Sequence, residues 1–118
     1  PGIGTSLPIL LSEGINKNKI NLNQLVNLTS TNASKIFGLS GKGHLEVGYD
    51  ADITMIDLKK EVKVSPELFG GFSDYLVYDG WNLKGWPVKT IVRGTVVAED
   101  FEVIGKPGYG NFVPRVLS

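Results

Sequence analysis

The segment Tyr78–Gly94, YDGWNLKGWPVKTIVRG, carries both tryptophans of the chain and ends in a run of β-branched residues. Trp81 and Trp86 stand on either side of an Asn-Leu-Lys-Gly bend. The run Val88–Val92 and the following Thr95–Ala98 predict a β-hairpin with an Arg-Gly turn, because β-branched residues favour strands and glycine favours tight turns. This part of the chain therefore predicts a β-sheet.

The two tryptophans fit either a ligand-stacking platform or a packed scaffold. Stacking on a base or sugar usually comes with surrounding basic charge, which this segment lacks. We therefore interpret Trp81 and Trp86 as packing the loop that leads into the hairpin. Pro87 is expected to start the strand at a sheet edge, where a missing N–H costs little.

Further strands are predicted on both sides of the hairpin. Ile53–Ile56 and Val62–Val64 are short β-favouring runs before it, and Phe101–Ile104 is a third run after it. Turns containing glycine or proline separate these runs. The part of the chain after Gly41 is thus predicted to be rich in strands.

The first third of the chain has a different periodicity. Its apolar residues fall at the 3.6-residue spacing of helices. Three short helices are predicted, around Leu7, Leu10 and Leu11, around Leu22, Leu25, Val26 and Leu28, and around Ala33, Ile36 and Phe37.

Polar residues and glycines are predicted to bound these helices. Asn21 is expected to cap the second helix, and Thr31 or Asn32 the third. Gly14 and Gly38 stand where helices often end in glycine. Helices followed by sequentially adjacent strands predict an α+β fold.

Composition excludes several classes of function. The chain has 118 residues with 12 basic and 12 acidic side chains, so no charge excess attracts nucleic acid. No apolar run approaches the roughly 20 residues of a membrane helix. The absence of cysteine from the sequence excludes thiolate metal sites and fits a cytoplasmic protein. We expect neither nucleic-acid nor membrane partners.

The residues by themselves provide no complete catalytic set. A catalytic zinc needs three protein ligands, and the chain has a single histidine, His44, predicted to lie exposed in a turn. Asp50 with Asp52, and Glu99 with Asp100, are neighbouring carboxylates of the kind that turns usually solvate. No nucleophile elbow or phosphate loop has the required spacing. We therefore predict no catalytic and no metal-binding residue within the chain.

The order of motifs resembles the cyclic amidohydrolases. GIGTSLPILLSEGINKNKINLNQLVNLTSTNASKIFGL, residues 2–39, is similar to that family's G-[IV]-x-T-x-L-P run followed by L-T-S-T-N-x-[AS]-K-[IL]-F-G-L. GYDADITMIDL, residues 48–58, resembles its G-x-D-A-D-[IV] strand entry. VIGKPGYGNFV, residues 103–113, is similar to the tail of hydantoinases and dihydropyrimidinases. The resemblance covers nearly the whole chain.

The resemblance implies a larger enzyme than these residues. In the family, a (β/α)8 barrel holds two divalent metal ions, typically zinc, bridged by a carboxylated lysine, and a small β-sandwich accompanies it. Residues 1–40 would be the last helical segments of the barrel, and residues 41–118 the C-terminal part of the sandwich and the tail. The resemblance implies that all the metal ligands of the family, several histidines and an aspartate, lie upstream of Pro1. The isolated chain is then expected to be an inactive fragment.

The resemblance also implies a substrate contact. In hydantoinases, the backbone of the residue before the G-[IV]-E motif contacts the substrate ring, and this position matches Pro1, next to Gly2. These two residues are the predicted substrate-binding residues. Gly4 departs from the pattern, because it replaces the usual glutamate of the family.

The activity implied is metal-dependent hydrolysis of the C–N bond of a cyclic amide or imide. The tail and the TSTNASKIFGL helix favour a hydantoinase or dihydropyrimidinase, while GTSLP is also close to dihydroorotase and allantoinase. A stand-alone assembly module without catalysis is the alternative from another class. Self-association into a homo-oligomer is expected, through sheet edges or through the apolar residues Leu22, Leu25, Ile36 and Phe37.

Overall fold

The computed structural model describes residues 2–70 and 74–116. Its first helix, α1, covers Ile3–Ile9 and continues as a π-helical segment over Leu10–Ile15. Gly14 was predicted to end this helix, and that prediction is wrong. The wider π-helical hydrogen bonding extends the helix to Ile15, where the N–H of Asn16 bonds to the carbonyl of Leu11 at 2.9 Å.

The second and third predicted helices form one continuous helical run. Helix α2 covers Leu22–Val26, a π-helical segment covers Asn27–Thr31, and helix α3 covers Asn32–Phe37. The predicted cap at Thr31 or Asn32 is wrong, because both residues have right-handed helical backbone angles inside the run. The prediction for Gly38 is confirmed, since it ends α3 in the left-handed region with φ of 66°.

The strands form one sheet in the order β1-β2-β3-β4 within the described residues. Strand β1 covers Ile53–Lys63, β2 covers Asn82–Val92, β3 covers Thr95–Glu99, and β4 covers Glu102–Val103. The pairs β2–β3 and β3–β4 are antiparallel, and the first contains a bulge between Thr90 and Ile91. The predicted hairpin and the strand after it are therefore confirmed. Helices followed by an antiparallel sheet also confirm the α+β class.

Two strand predictions need correction. The run Ile53–Ile56 and the residues Val62 and Lys63 of the second run belong to a single strand, β1, which also includes the residues between them; Val64 lies just after its end. Pro87 lies inside β2 rather than at its start. It is tolerated there because β3 pairs with β2 only over Lys89–Val92, so β3 needs no hydrogen bond from the position of Pro87.

The described residues group into two compact units that alternate along the sequence. The first unit draws on Pro1–Asn21 and Met55–Val88, and the second on Leu22–Thr54 and Lys89–Ser118. Each long strand thus contributes residues to both units.

The core of the first unit surrounds a tryptophan. Val64, Leu83 and Trp86 are buried, with Trp86 only 1% exposed, and its indole N–H donates to the carbonyl of Leu83 at 2.8 Å. The ring of Phe69 stacks on Trp86 at 6.3 Å. Trp86 therefore packs as predicted, but from within β2 rather than from a loop. Trp81 is half exposed and lies edge-on to a tyrosine ring.

The helical segment of the same unit lies directly on strand β2. Gly85 has φ of 110°, and a β-carbon built on it would lie 2.8 Å from Cβ of Leu11. Leu11 is fully buried. Only glycine permits both this backbone angle and this approach of helix to strand.

The second unit contains the helical run, the turns after it and the end of the β2–β3 hairpin. Leu25 is buried, whereas Leu22, Ile36 and Phe37 are half exposed or more. Leu25 was expected at an association surface, so that expectation is wrong: its side chain faces the interior of the helix packing. Near the end of the chain, the N–H of Val116 bonds to the carbonyl of Gly38 at 2.8 Å.

In the described residues, no helix has the length and apolar character needed to cross a bilayer.

Replacing Trp86 by alanine is expected to lower the free energy of unfolding by about 3–5 kcal/mol, because it removes a buried ring and leaves a cavity. Trp81→Ala is the matched control and should cost about 1 kcal/mol or less, since that ring is half exposed. Urea unfolding of both variants measures the difference. Equal losses would contradict the packing described for Trp86.

Replacing Gly85 by alanine is expected to destabilise by about 2–4 kcal/mol, the sum of backbone strain and a steric clash with Leu11. Gly80→Ala is the control, because Gly80 has a similar φ of 84° but open space around its Cα. The difference between the two variants in urea unfolding isolates the clash. A Gly85 variant no worse than the Gly80 variant would show that the close approach is unimportant.

Candidate functional site

The predicted substrate-binding residues lie at the start of α1. Pro1 is outside the described residues. Gly2 is exposed and precedes the helix, and its carbonyl accepts hydrogen bonds from the hydroxyls of Thr5 at 3.1 Å and Ser6 at 3.0 Å. These two bonds occupy the acceptor positions of that carbonyl and fix the peptide after Gly2 to the first turn of the helix.

Gly4, which departs from the pattern of the resembled family, lies where the structure leaves no space for a side chain. A β-carbon at Gly4 would lie 2.5 Å from the ring of Phe69. The ring therefore fills the space that a side chain at this position would need. Phe69 is held in turn by its stacking on Trp86.

A charged cluster in the second unit connects the turn after the helices to the β2–β3 hairpin. The ammonium group of Lys42 lies 2.5 Å from a carboxylate oxygen of Asp52 and 3.0 Å from one of Asp50. The other carboxylate oxygen of Asp52 accepts the backbone N–H of Arg93 at 2.9 Å. The carbonyl of Ala51 accepts the next N–H of the turn, from Gly94, at 3.0 Å.

The titration of this cluster follows from its hydrogen bonds. The bond from Lys42, supported by the N–H of Arg93, lowers the pKa of the Asp52 carboxyl below its ordinary value. The bonds to Asp52 and Asp50 raise the pKa of Lys42. Lys42 and Asp52 are therefore both charged at neutral pH.

Arg93 also binds the C-terminal tail. Its guanidinium stacks on the ring of Tyr109, 4.3 Å from the ring centre, and donates to the carbonyl of the same residue. The hydroxyl of Tyr109 donates to the carbonyl of Val92 at 2.8 Å. Arg93 has φ of 46°, and the two contacts hold it in this disfavoured conformation.

A shallow cavity of about 360 Å³ lies beside the cluster in the same unit. His44 lines it, exposed in a bend as predicted, with its ring 5.4 Å from that of Tyr49. The remaining lining residues are Thr31, Ser34, Lys35, Leu39 and Lys42. The charge of Lys42 is already offset by Asp50 and Asp52.

The residues present do not fit the metal centre of the resembled family. Across residues 2–70 and 74–116, no three histidine or carboxylate side chains come together as metal ligands. Asp50 and Asp52, the carboxylates that the sequence singles out, converge on the ammonium of Lys42 instead. An ammonium group in this position repels a cation.

The sequence identified the carboxylates of this cluster but not their partners. Asp50 and Asp52 were expected to be solvated or bonded to their own turn, whereas they bond to Lys42 and Arg93. Lys42 and Arg93 lie ten and 41 residues from Asp52 in the sequence, so no local sequence pattern indicates these bonds.

The chain is similar to known proteins over most of its length. The model of the amidohydrolase family matches residues 5–97, which is more than half of the sequence. The chain therefore belongs to the amidohydrolase family.

The relatives of this chain include enzymes of two kinds. The L-hydantoinase of Paenarthrobacter aurescens is 44% identical over 97% of this chain and 25% of its own length. A dihydroorotase of Pyrococcus furiosus is 41% identical over 91% of this chain and 25% of its own length. The chain thus spans about a quarter of the length of the curated relatives it matches.

A solved structure has the same fold. The L-hydantoinase (dihydropyrimidinase) from Arthrobacter aurescens superposes with a TM-score of 0.92 and 43% identity, over 97% of this chain and 26% of that one. The arrangement of helices and strands described above is therefore that of a corresponding part of this enzyme.

Replacing Asp52 by asparagine is expected to lower the free energy of unfolding at pH 7 by on the order of 1 kcal/mol, through loss of the charged bond to Lys42. Because folding lowers the pKa of Asp52 from its ordinary value of 3.8, this contribution is present above that value and is lost as pH falls through the folded pKa.

Urea unfolding from about pH 7 down to about pH 2 tests this linkage. The gap between wild type and Asp52→Asn should hold steady down to about pH 5 and close below about pH 4. Asp50→Asn is the control and should cost less, because that carboxylate is about half exposed. A gap that persists at the acid end would contradict the assignment to Asp52.

Proposed function

We propose that this chain is the C-terminal portion of a metal-dependent cyclic amidohydrolase of the hydantoinase or dihydropyrimidinase type. The observation that carries the proposal is the match to L-hydantoinase, which combines 44% identity over 97% of the chain with a TM-score of 0.92. The parent enzyme would hydrolyse a C–N bond in the ring of a small cyclic amide or imide.

The proposed architecture assigns the described elements to two parts of the parent enzyme. Residues 1–40, with the two helical runs, would be the last helical segments of a (β/α)8 barrel. Residues 41–118, with the four-stranded sheet, would be the C-terminal part of a small β-sandwich. The change from helices to strands after Gly38 supports this division.

The chemistry of the reaction would depend on residues other than these 118. Two divalent metal ions, zinc in our proposal, and a carboxylated lysine would activate water and polarise the substrate carbonyl. Asp50 and Asp52 are bonded to Lys42 and to the backbone N–H of Arg93, which supports placing the ligands elsewhere in the polypeptide.

The contribution of this chain to the site would be structural, through its first residues. Pro1 and Gly2 would present backbone groups to the substrate ring. The carbonyl of Gly2 is already bonded to Thr5 and Ser6, so a contact at Gly2 would use its N–H. Proline has no N–H, so Pro1 would offer its carbonyl.

A dihydroorotase is the second candidate, because the Pyrococcus furiosus enzyme is 41% identical over 91% of the chain. The wider coverage by the L-hydantoinase, 97% of the chain against 91%, favours the first candidate. We further propose a cytoplasmic homo-oligomer. The exposed Leu22, Ile36 and Phe37 support association with other surfaces, and the lack of cysteine fits the reducing compartment.

The test compares two polypeptides supplied with zinc. The longest open reading frame that contains residues 1–118 is expected to open hydantoin or dihydrouracil, measured by the loss of ring absorbance. The 118-residue chain alone is expected to give no turnover. Turnover by the short chain would refute the placement of the metal ligands. A longer polypeptide that opens dihydroorotate but not hydantoin would establish the second candidate instead.

A further inference from the structure

The last turn of the first helical segment is bound to two strands by one side-chain amide. Nδ2 of Asn16 lies 2.6 Å from the carbonyl of Lys84 in β2 and 3.0 Å from the carbonyl of Leu58 in β1. An amide nitrogen carries two N–H donors, so both are used. Asn16 therefore joins the end of the helix to two neighbouring strands at once.

A second side chain completes the attachment on the same strand. Oγ of Ser12 accepts the backbone N–H of Lys84 at 3.0 Å, and Ser12 is only 6% exposed. Both backbone groups of Lys84 are thus bonded to side chains of the helical segment. Next to them, Gly85 lets Leu11 approach the strand backbone.

These contacts fix the helix along its axis and in rotation. Ser12 and Asn16 form these hydrogen bonds from positions one turn apart on the same face of the helix. The packing of Leu11 prevents the helix from rotating about its axis. At its other end the helix begins directly after Gly2, whose carbonyl is bonded to Thr5 and Ser6. A shift of the helix would therefore also move Gly2.

We propose that Asn16 and Ser12 are positioning residues for substrate binding, acting through the helical segment on the backbone at Gly2. This inference rests on the proposed function, in which that backbone contacts the substrate ring. The distance along the helix is about 20 Å at 1.5 Å per residue, so neither side chain touches the substrate. A small shift of the helix misplaces the backbone groups at its start.

The experiment uses the longest reading frame that contains residues 1–118, with zinc and hydantoin. Asn16→Ala is expected to raise KM about five- to tenfold, the effect of one or two lost hydrogen bonds, with kcat within about twofold of wild type. Asn16→Asp keeps the shape but presents an oxygen to two carbonyls, so its KM should rise further. Ser12→Ala should change KM in the same direction.

Asp52→Asn is the control, because it is expected to reduce stability through a different set of contacts and to leave KM unchanged. All assays are run well below the melting temperatures of the variants. Unchanged KM in both Asn16 variants, with lowered melting temperature, would reduce Asn16 to a structural residue and overturn the proposal. A fall in kcat at constant KM would overturn it as well.

The proposed function fails separately from this inference. If the wild-type polypeptide opens no cyclic amide, the proposed function is wrong before any variant is compared. If it does and KM does not respond to Asn16, the positioning role alone is wrong.

Discussion

The close approach of Leu11 to the backbone of Gly85 is the constraint on which the first unit depends. A β-carbon at Gly85 would lie 2.8 Å from that of Leu11, so the helix can lie on the strand only where the strand has no side chain. The approach brings Ser12 and Asn16 within hydrogen-bonding distance of Lys84. It also leaves Trp86, the next residue, to fill the core with its ring. Both the apolar packing and the polar contacts of this unit therefore depend on Gly85.

The second unit is organised by charge rather than by a large apolar side chain. Asp52 accepts from Lys42 and from the backbone of Arg93, and Arg93 extends the connection to Tyr109 in the tail. Each of these residues forms hydrogen bonds with polar groups of the turns that would otherwise bond to solvent. The role of the cluster is to hold loops together, through the ion pairs of Lys42 with Asp50 and Asp52 and the bond of Asp52 to the Arg93 backbone.

The proposed function follows from what these contacts hold in place. Neither unit brings together a group of three metal ligands within the described residues. What the chain does provide is a helix attached to a sheet at one end and leading to Gly2 at the other. This arrangement suits a part of an amidohydrolase that supports and orients the site while other residues carry out the chemistry.

The sequence by itself determined the hairpin at Arg93-Gly94, the glycine end of the helix at Gly38 and the α+β class, because each depends on local backbone preference. Its motifs also indicated the family. It did not reveal that β1 is one strand, that the helices continue through Thr31, or that Pro87 lies within β2, since these depend on pairing and packing with distant residues. Only the tertiary structure decided the partners of Asn16 and Asp52, which lie 10 to 68 residues away. Such contacts leave no periodic signal, because their donors and acceptors are largely backbone groups that every residue carries.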